Sequence, residues 1–295
     1  MNVRRPIEAD AGAVTELIGA FDSHFLGTAE VTEQDLRDEW RDLELERDAW
    51  LIELDGSLAG YASLLTYPHP FMDGYVHPEF WGRGIGAYLL DTVETEARRR
   101  RLDRLENGVL GADVRAHELL RSRGYRETRR AFRMEIEFNE PPPEPRWPSG
   151  FRALPYDPAE ADAFHAALDE AFAEEWGHEP ERGIDWRARR ERAGSDQTLW
   201  FTVKDGDEIA AAVVNDPERF GVGWVASIGV RKPWRRRGLG EALLLHSFGE
   251  LYRRGQTKIG LGVDARNPTG ATRLYERVGM HVAFSGAFFV KELAS

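Results

Sequence analysis

The stretch Val230-Arg-Lys-Pro-Trp-Arg-Arg-Arg-Gly-Leu-Gly-Glu-Ala-Leu-Leu244 decides how this chain reads. It closes an apolar strand that begins near Trp224, passes through a basic turn, and opens an amphipathic helix at Gly238. Gly238 and Gly240 lack a Cβ, so a ligand can approach the backbone amides closely there. The first amides of a helix have no intrahelical partner and sit at the positive end of its dipole, which favours an anion. Arg231, Lys232, Arg235, Arg236 and Arg237 form a local basic cluster in a chain whose net charge is −12. This reversal of charge points to a phosphate group. A Walker loop is excluded, because Gly-Lys-Ser/Thr does not follow a longer glycine-spaced run. For one such turn taken alone, a solvated basic helix start remains the alternative.

The pattern occurs twice. Val76-His-Pro-Glu-Phe-Trp-Gly-Arg-Gly-Ile-Gly-Ala-Tyr-Leu-Leu90 repeats the order strand, turn, helix. Gly84 and Gly86 correspond to Gly238 and Gly240 at an offset of 154 (238 minus 84). Downstream, Gly124 answers Gly279 at an offset of 155 (279 minus 124). A repeat of this length is a whole domain rather than a solenoid unit. The chain therefore reads as a tandem duplication, with one domain at 1–138, a linker at 139–149 rich in proline, and a second domain at 150–295.

Composition agrees. A chain of 295 residues is long enough for two cores, and 42% hydrophobic with 31% charged residues suits a folded, water-exposed protein. No apolar run approaches the roughly 18 residues of a membrane span, and the charged start (Arg4, Arg5, Glu8, Asp10) is unlike an export signal. A cytoplasmic protein, monomeric or homodimeric, is expected. The absence of cysteine excludes disulfides and thiolate chemistry, and no metal is expected. The acidic balance argues against nucleic acid as a partner. Each half alternates helix and strand signals around one sheet, giving an α/β fold. In the second half strands are expected near 198–204, 208–215, 222–230 and 258–263, helices at 159–176, 238–254 and 269–278, and a final hairpin over 281–291.

These residues carry a family resemblance. The second half resembles a Gcn5-related N-acetyltransferase (GNAT) domain, whose loop Arg/Gln-x-x-Gly-x-Gly/Ala is matched by Arg235-Arg-Arg-Gly238-Leu-Gly240. Ile228-Gly-Val230 matches the strand before it, and Asn267 through Tyr275 to Gly279 matches the later strand, asparagine and tyrosine-bearing helix. The resemblance implies two tandem GNAT-like domains, each a mixed, mostly antiparallel sheet flanked by helices. It implies acetyl-CoA as co-substrate and a small-molecule primary amine as acceptor. Ile228, Val230, Arg235, Arg236, Arg237, Gly238, Leu239, Gly240, Glu241 and Asn267 would then bind the cofactor. The amides of 236–241 would hold its pyrophosphate, and amides late in the 224–230 strand would polarise the thioester oxygen.

Tyr275 has two readings: general acid for the departing thiolate, or core aromatic sharing a helix face with Ala271, Leu274 and Val278. The general base is left open. The 222–230 strand lacks the Asp or Glu that many relatives carry there, which leaves Glu174, Glu175 and His178 as candidates, against a solvated helix end. Trp176 and Trp186 would line an acceptor pocket or fill the core. The first half keeps a possible second CoA site at Val76, Arg83, Gly84 and Gly86, but Trp81 replaces the loop's first Arg. Leu120 and Ala112 fall at the numerical positions of Tyr275 and Asn267. A leucine has no proton to donate, so chemistry is expected in the second half only, with the first half either structural, shaping the acceptor cleft or stiffening its partner, or binding CoA without using it. The tandem layout resembles mycothiol synthase-like proteins, which makes an amino-sugar thiol precursor an alternative acceptor. A non-catalytic CoA sensor is the other alternative.

Overall fold

The computed structural model describes residues 1–174, 183–191, 195–267 and 269–293. In chain order the strands are β1 (Asn2–Arg4), β2 (Ala49–Leu54), β3 (Ser57–Leu65), β4 (Phe71–Val76), β5 (Arg104–Leu110), β6 (Arg126–Glu137), β7 (Ala153–Pro155), β8 (Phe201–Asp205), β9 (Glu208–Arg219), β10 (Val222–Val230), β11 (Lys258–Asp264) and β12 (His281–Glu292). The helices are α1 (Ala11–Leu26), α2 (Glu33–Trp40), α3 (Leu45–Asp48), α4 (Ile85–Arg99), α5 (Val114–Ser122), α6 (Ala161–Phe172), α7 (Gly183–Glu191), α8 (Leu239–Arg253) and α9 (Ala271–Arg277).

The chain forms two compact units, one of residues 1–130 with 284–295, the other of residues 131–283. In the first unit β1, β2, β3 and β4 form an antiparallel run, β4 meets β5 in parallel, and β5 pairs antiparallel with β12. The second unit repeats this. β7, β8, β9 and β10 are antiparallel neighbours, β10 meets β11 in parallel, and β11 pairs antiparallel with β6. Each sheet is thus mixed and mostly antiparallel, with helices on its faces, as the tandem α/β reading requires.

The sixth strand of each unit comes from the other sequence half. Gly286 through Glu292 register against Leu110 through Arg104, and Ala131 through Glu137 against Asp264 through Lys258. The expected hairpin over 281–291 is instead this one continuous strand. Ser285-Gly286 signals a turn locally, but Gly286 has an ordinary ladder partner in Leu110. Tertiary pairing overrides the turn signal.

Both faces of β2 and β3 are covered, so their sequences run apolar without alternation. Ile52, Ala62 and Leu64 join Ile85, Leu89 and Phe289 in one core, while Leu51 and Tyr61 join Val14, Leu17 and Trp40 in another. In the second unit a single core gathers Phe164, Trp200, Val213, Leu243, Phe248 and Tyr275. The segment 139–152 forms no helix or strand, as its prolines dictate.

Candidate active site

The parallel pair in each sheet opens along its length. Among the described residues β10 meets β11 only at Gly223, Trp224 and Val225, whereas it stays paired with β9 through Val230. A register shift between Val225 and Ser227 marks a bulge where the two neighbours part. Ala226–Val230, including Ile228 and Val230, therefore present a strand edge that β11 leaves uncovered. In the first unit β4 likewise meets β5 only at Phe71 and Met72.

The turn after each opening is built the same way. Gly238 and Gly84 adopt φ of 84° and 80° and cap α8 and α4. Two residues earlier, Gly82 has φ 76°, and the corresponding Arg236 has φ 61°, a conformation costly for a residue with a Cβ. Left-handed residues two positions apart make a tight turn at the helix start, the kind of backbone whose amides can cradle an anion. Gly240 sits between Val230 and Leu274: a Cβ there would lie 3.5 and 3.4 Å from their side chains, much as one on Gly86 would meet Val76 and Leu119. Leu239 is buried, and Glu241 is exposed, 3.7 Å from Arg277.

The basic cluster divides into two sets. Arg231 pairs with Glu170 at 2.7 Å, and Lys232 with Glu174 at 2.7 Å. Arg235 donates through Nε to the Val230 carbonyl (3.0 Å), through a terminal nitrogen to the Ala171 carbonyl (2.9 Å), and to Glu174. It ties the turn to the end of β10 and to α6. Arg236 and Arg237 are the exposed pair with no ion-pair partner among the described residues, and they sit where a phosphate would meet the helix start. In the first unit Trp81 Nε1 donates to the Val76 carbonyl at 2.8 Å, the same strand-end oxygen that Arg235 holds. The residue type differs, but the tie is kept.

Glu174 is exposed, and its carboxyl is held below the ordinary range by the hydrogen bond from Lys232 first and that from Arg235 next. A carboxylate so stabilised is a poor proton acceptor. Glu175, His178 and Trp176 lie outside the described residues. Trp186 is buried and stacks on Phe164 and His165 at 5.8 and 5.0 Å, so it belongs to the core of the second unit. Tyr275 is 7% exposed and packs into the same core.

Asn267 Oδ1 accepts from Thr269 N (2.9 Å), Thr269 Oγ1 (2.5 Å) and Ala271 N (3.5 Å), so it organises the start of α9, the helix that carries Tyr275. In the first unit Asp113 does this work, accepting from Ala116 N at 3.1 Å. Counting alone points to Ala112. The connection into the helix is one residue shorter, and the capping carboxylate one position on is the signal that locates the true counterpart. Leu120 does match Tyr275: both are buried, and each carbonyl accepts at 3.0 Å from the residue after the helix-ending glycine, Tyr125 and Met280.

A cleft of about 310 Å³ opens in the first unit, lined by Met72, Gly74, Val76, Gly84, Gly86 and Leu120 among others. Arg83 lies at its entrance turn, 5.2 Å over Phe80 and 3.8 Å from Asp55.

A mixed sheet opened between its parallel strands, with a glycine turn and helix start at the opening, defines an acyl-transfer fold present here twice. The pattern of the acetyltransferase (GNAT) family matches residues 14–125 and again 161–280. The chain belongs to that family, and it is an acyltransferase. It is 32% identical over 247 residues to the mycothiol acetyltransferase of Thermobispora bispora, spanning 78% of this chain and 79% of that protein. Among solved structures it is similar to a GCN5-related N-acetyltransferase from Sphaerobacter thermophilus, with TM-score 0.87 and 33% identity over 100% of this chain and 96% of that one. A tandem GNAT protein from the clavulanic acid biosynthesis pathway shares the fold at TM-score 0.75 and 16% identity, covering 100% and 99% of the two chains.

Proposed function

We propose that the chain transfers the acetyl group of acetyl-CoA to a primary amine of a small molecule, with the chemistry in the second unit. The observation that carries this reading is the parting of β10 from β11 beyond Val225, directly before a glycine turn with two uncommitted arginines. In this reading the amides of 236–241, with Arg236 and Arg237, hold the pyrophosphate. The pantetheine arm lies along the uncovered edge of Ile228–Val230, where a backbone amide polarises the thioester oxygen; such fixed donors are worth about 2.7–4 kcal/mol in acyl transfer. The amine nitrogen attacks the carbonyl carbon, the carbon–sulfur bond breaks, and Tyr275 gives its proton to the thiolate. Asn267 orders the turn that leads into α9 and so helps to set the position of Tyr275.

The poor basicity of Glu174 turns the choice of base toward Glu175, His178 or a water chain. Because the curated relatives bear the name mycothiol acetyltransferase, an amino-sugar thiol precursor is the second reading of the acceptor. In the first unit Val76, Gly84 and Gly86 line a cleft fit for CoA, but Leu120 offers no acid, so this unit binds without transferring. A protein that only senses CoA is the remaining alternative. The test is release of free thiol from acetyl-CoA with a panel of small amines, amino sugars and aminoglycosides. Turnover with an amine of the panel supports the reading, and binding of acetyl-CoA without turnover on any of them overturns it in favour of the sensor.

A further inference from the structure

Equivalent rungs of the two ladders carry different residues. Ile228 stands across from Val213 on β9, two positions before Val230 and the glycine turn. Gly74 stands across from Ala62 on β3, two positions before Val76 and the corresponding turn. The place that an isoleucine side chain fills in the second unit is therefore a glycine in the first. Ile228 is partly buried and packs against the core of its unit. At Gly74 an ideal Cβ would meet only the flexible end of Met72, at 2.9 Å. Taking away a packed side chain without refilling its volume leaves a cavity, and Gly74 lines the cleft of about 310 Å³.

The wall of that cleft is apolar. Met72, Leu89 and Leu90 are almost fully buried, Phe21 adds a ring, and Leu120 stands where the second unit has Tyr275. The polar side chains among the lining residues are engaged with the protein itself. Asn107 donates to the Met72 carbonyl at 3.0 Å across the last rung of the parallel pair. Asp113 caps α5, and Arg115 sits over the Trp81 ring, 3.4 Å from its centroid. A pocket of this kind gains most of its affinity by taking hydrocarbon out of water.

The other end of the cleft has a different character. It reaches Gly82, Gly84 and Gly86, the turn whose backbone suits an anion, with Arg83 inside it. A ligand with an anionic head at the turn and a hydrocarbon tail at Gly74 suits both ends, and an acyl thioester of CoA has that form. The missing isoleucine is a missing sec-butyl group, so the cleft admits about four carbons beyond an acetyl group, a hexanoyl chain.

We propose that the first unit holds an acyl-CoA whose acyl group is longer than acetyl, with the chain in the space left at Gly74 beside Met72 and Leu120. This rests on the reading that the first unit binds CoA without transferring from it.

The test is calorimetric titration of the full chain with acetyl-CoA, hexanoyl-CoA and free hexanoate. Each methylene taken out of water multiplies affinity about 3–4-fold, so one site per chain should take hexanoyl-CoA about 10-fold or more tighter than acetyl-CoA. Gly238→Val, in the second unit, should keep that site, and Gly84→Val should lose it. Gly74→Ile should erase the preference, the two thioesters then binding the first unit alike. Gly74→Ala, which asks only the end of Met72 to shift, should reduce it. Hexanoate, which lacks the group that meets the turn, should bind far more weakly than its thioester. Equal affinity of the unaltered first unit for the two thioesters would overturn the proposal and leave CoA binding there standing, whereas binding of neither would overturn both. A preference that survives Gly74→Ile, or hexanoate binding as tightly as hexanoyl-CoA, would also overturn it.

Discussion

At the scale of single residues, the turn before α8 separates two roles for arginine. Arg235 is spent on the backbone of β10 and α6, so replacing it should loosen the turn. Arg236 holds a left-handed conformation, which costs a residue with a Cβ about 1–2 kcal/mol, and leaves its guanidinium exposed. Arg236→Gly relieves that cost while adding freedom to the unfolded chain. We expect a melting temperature within a few degrees of the parent, with KM for acetyl-CoA raised about 3–10-fold by loss of a charge-assisted contact. An unchanged KM would place the pyrophosphate elsewhere. Tyr275→Phe keeps the ring in its core and removes the proton. It should lower kcat about 10²–10⁴-fold, with acetyl-CoA affinity little changed. A turnover equal to the parent's would make Tyr275 a core residue only.

The helix starts show the same division at the scale of elements. Asp113 caps α5, and Asn267 orders the turn before α9, so Asp113→Ala should cost about 1 kcal/mol in denaturant unfolding and Asn267→Ala, which loses turn hydrogen bonds, about 1 kcal/mol as well. Only Asn267→Ala should slow thiol release, since only α9 carries the proposed acid. Helix α2 makes a prediction in pH. The folded protein holds the Glu39 proton up to about pH 7, whereas the free side chain loses it near 4.5. Between those values the folded state binds more protons than the unfolded, so stability falls as pH rises. Glu39→Gln should therefore add roughly 1–3 kcal/mol at pH 8 and almost nothing at pH 4, read from urea midpoints. Equal effects at the two pH values would mean the carboxyl is not held in its protonated form.

Much at this scale was legible in the sequence. Strand 222–230 and the helix opening at Gly238 lie within a residue of where hydrophobic pattern and glycine put them. What stayed hidden depends on contacts between distant residues. Nothing local to Trp81 announces that its indole will take the strand-end carbonyl that a guanidinium takes in the other unit. The bend of β10 away from β11 likewise has no local signal beyond the residues that will form the bulge.

For the whole molecule, the two openings should respond unequally to the same change. Gly238→Val forces a branched residue into a left-handed conformation at the proposed pyrophosphate site and should abolish turnover. Gly84→Val imposes the same strain on the first unit and should leave most of it. Equal losses would mean that both openings serve the reaction. The exchange of sixth strands matters at this scale as well. Residues 1–140 lack Ala287 and Phe289, both fully buried, and leave the β12 edge of β5 open. An open edge of that kind invites aggregation. A chain of 1–130 joined by a short Gly/Ser link to 284–295 supplies the missing strand and should fold cooperatively where 1–140 does not; calorimetry of the two decides it.

The same exchange sets a schedule on the ribosome. Synthesis runs from the N-terminus, and domains ordinarily close as they emerge. Here the first five strands of the first unit are complete once Leu110 has been made, yet their partner Gly286–Glu292 begins 176 residues later (286 minus 110). At about 5–20 residues per second, the edge of β5 stays open for roughly ten seconds to half a minute while the second unit is being built. The nascent chain thus passes through a long interval with an open strand edge at its surface, and its yield in the cell should depend on what shields that edge until β12 has been made.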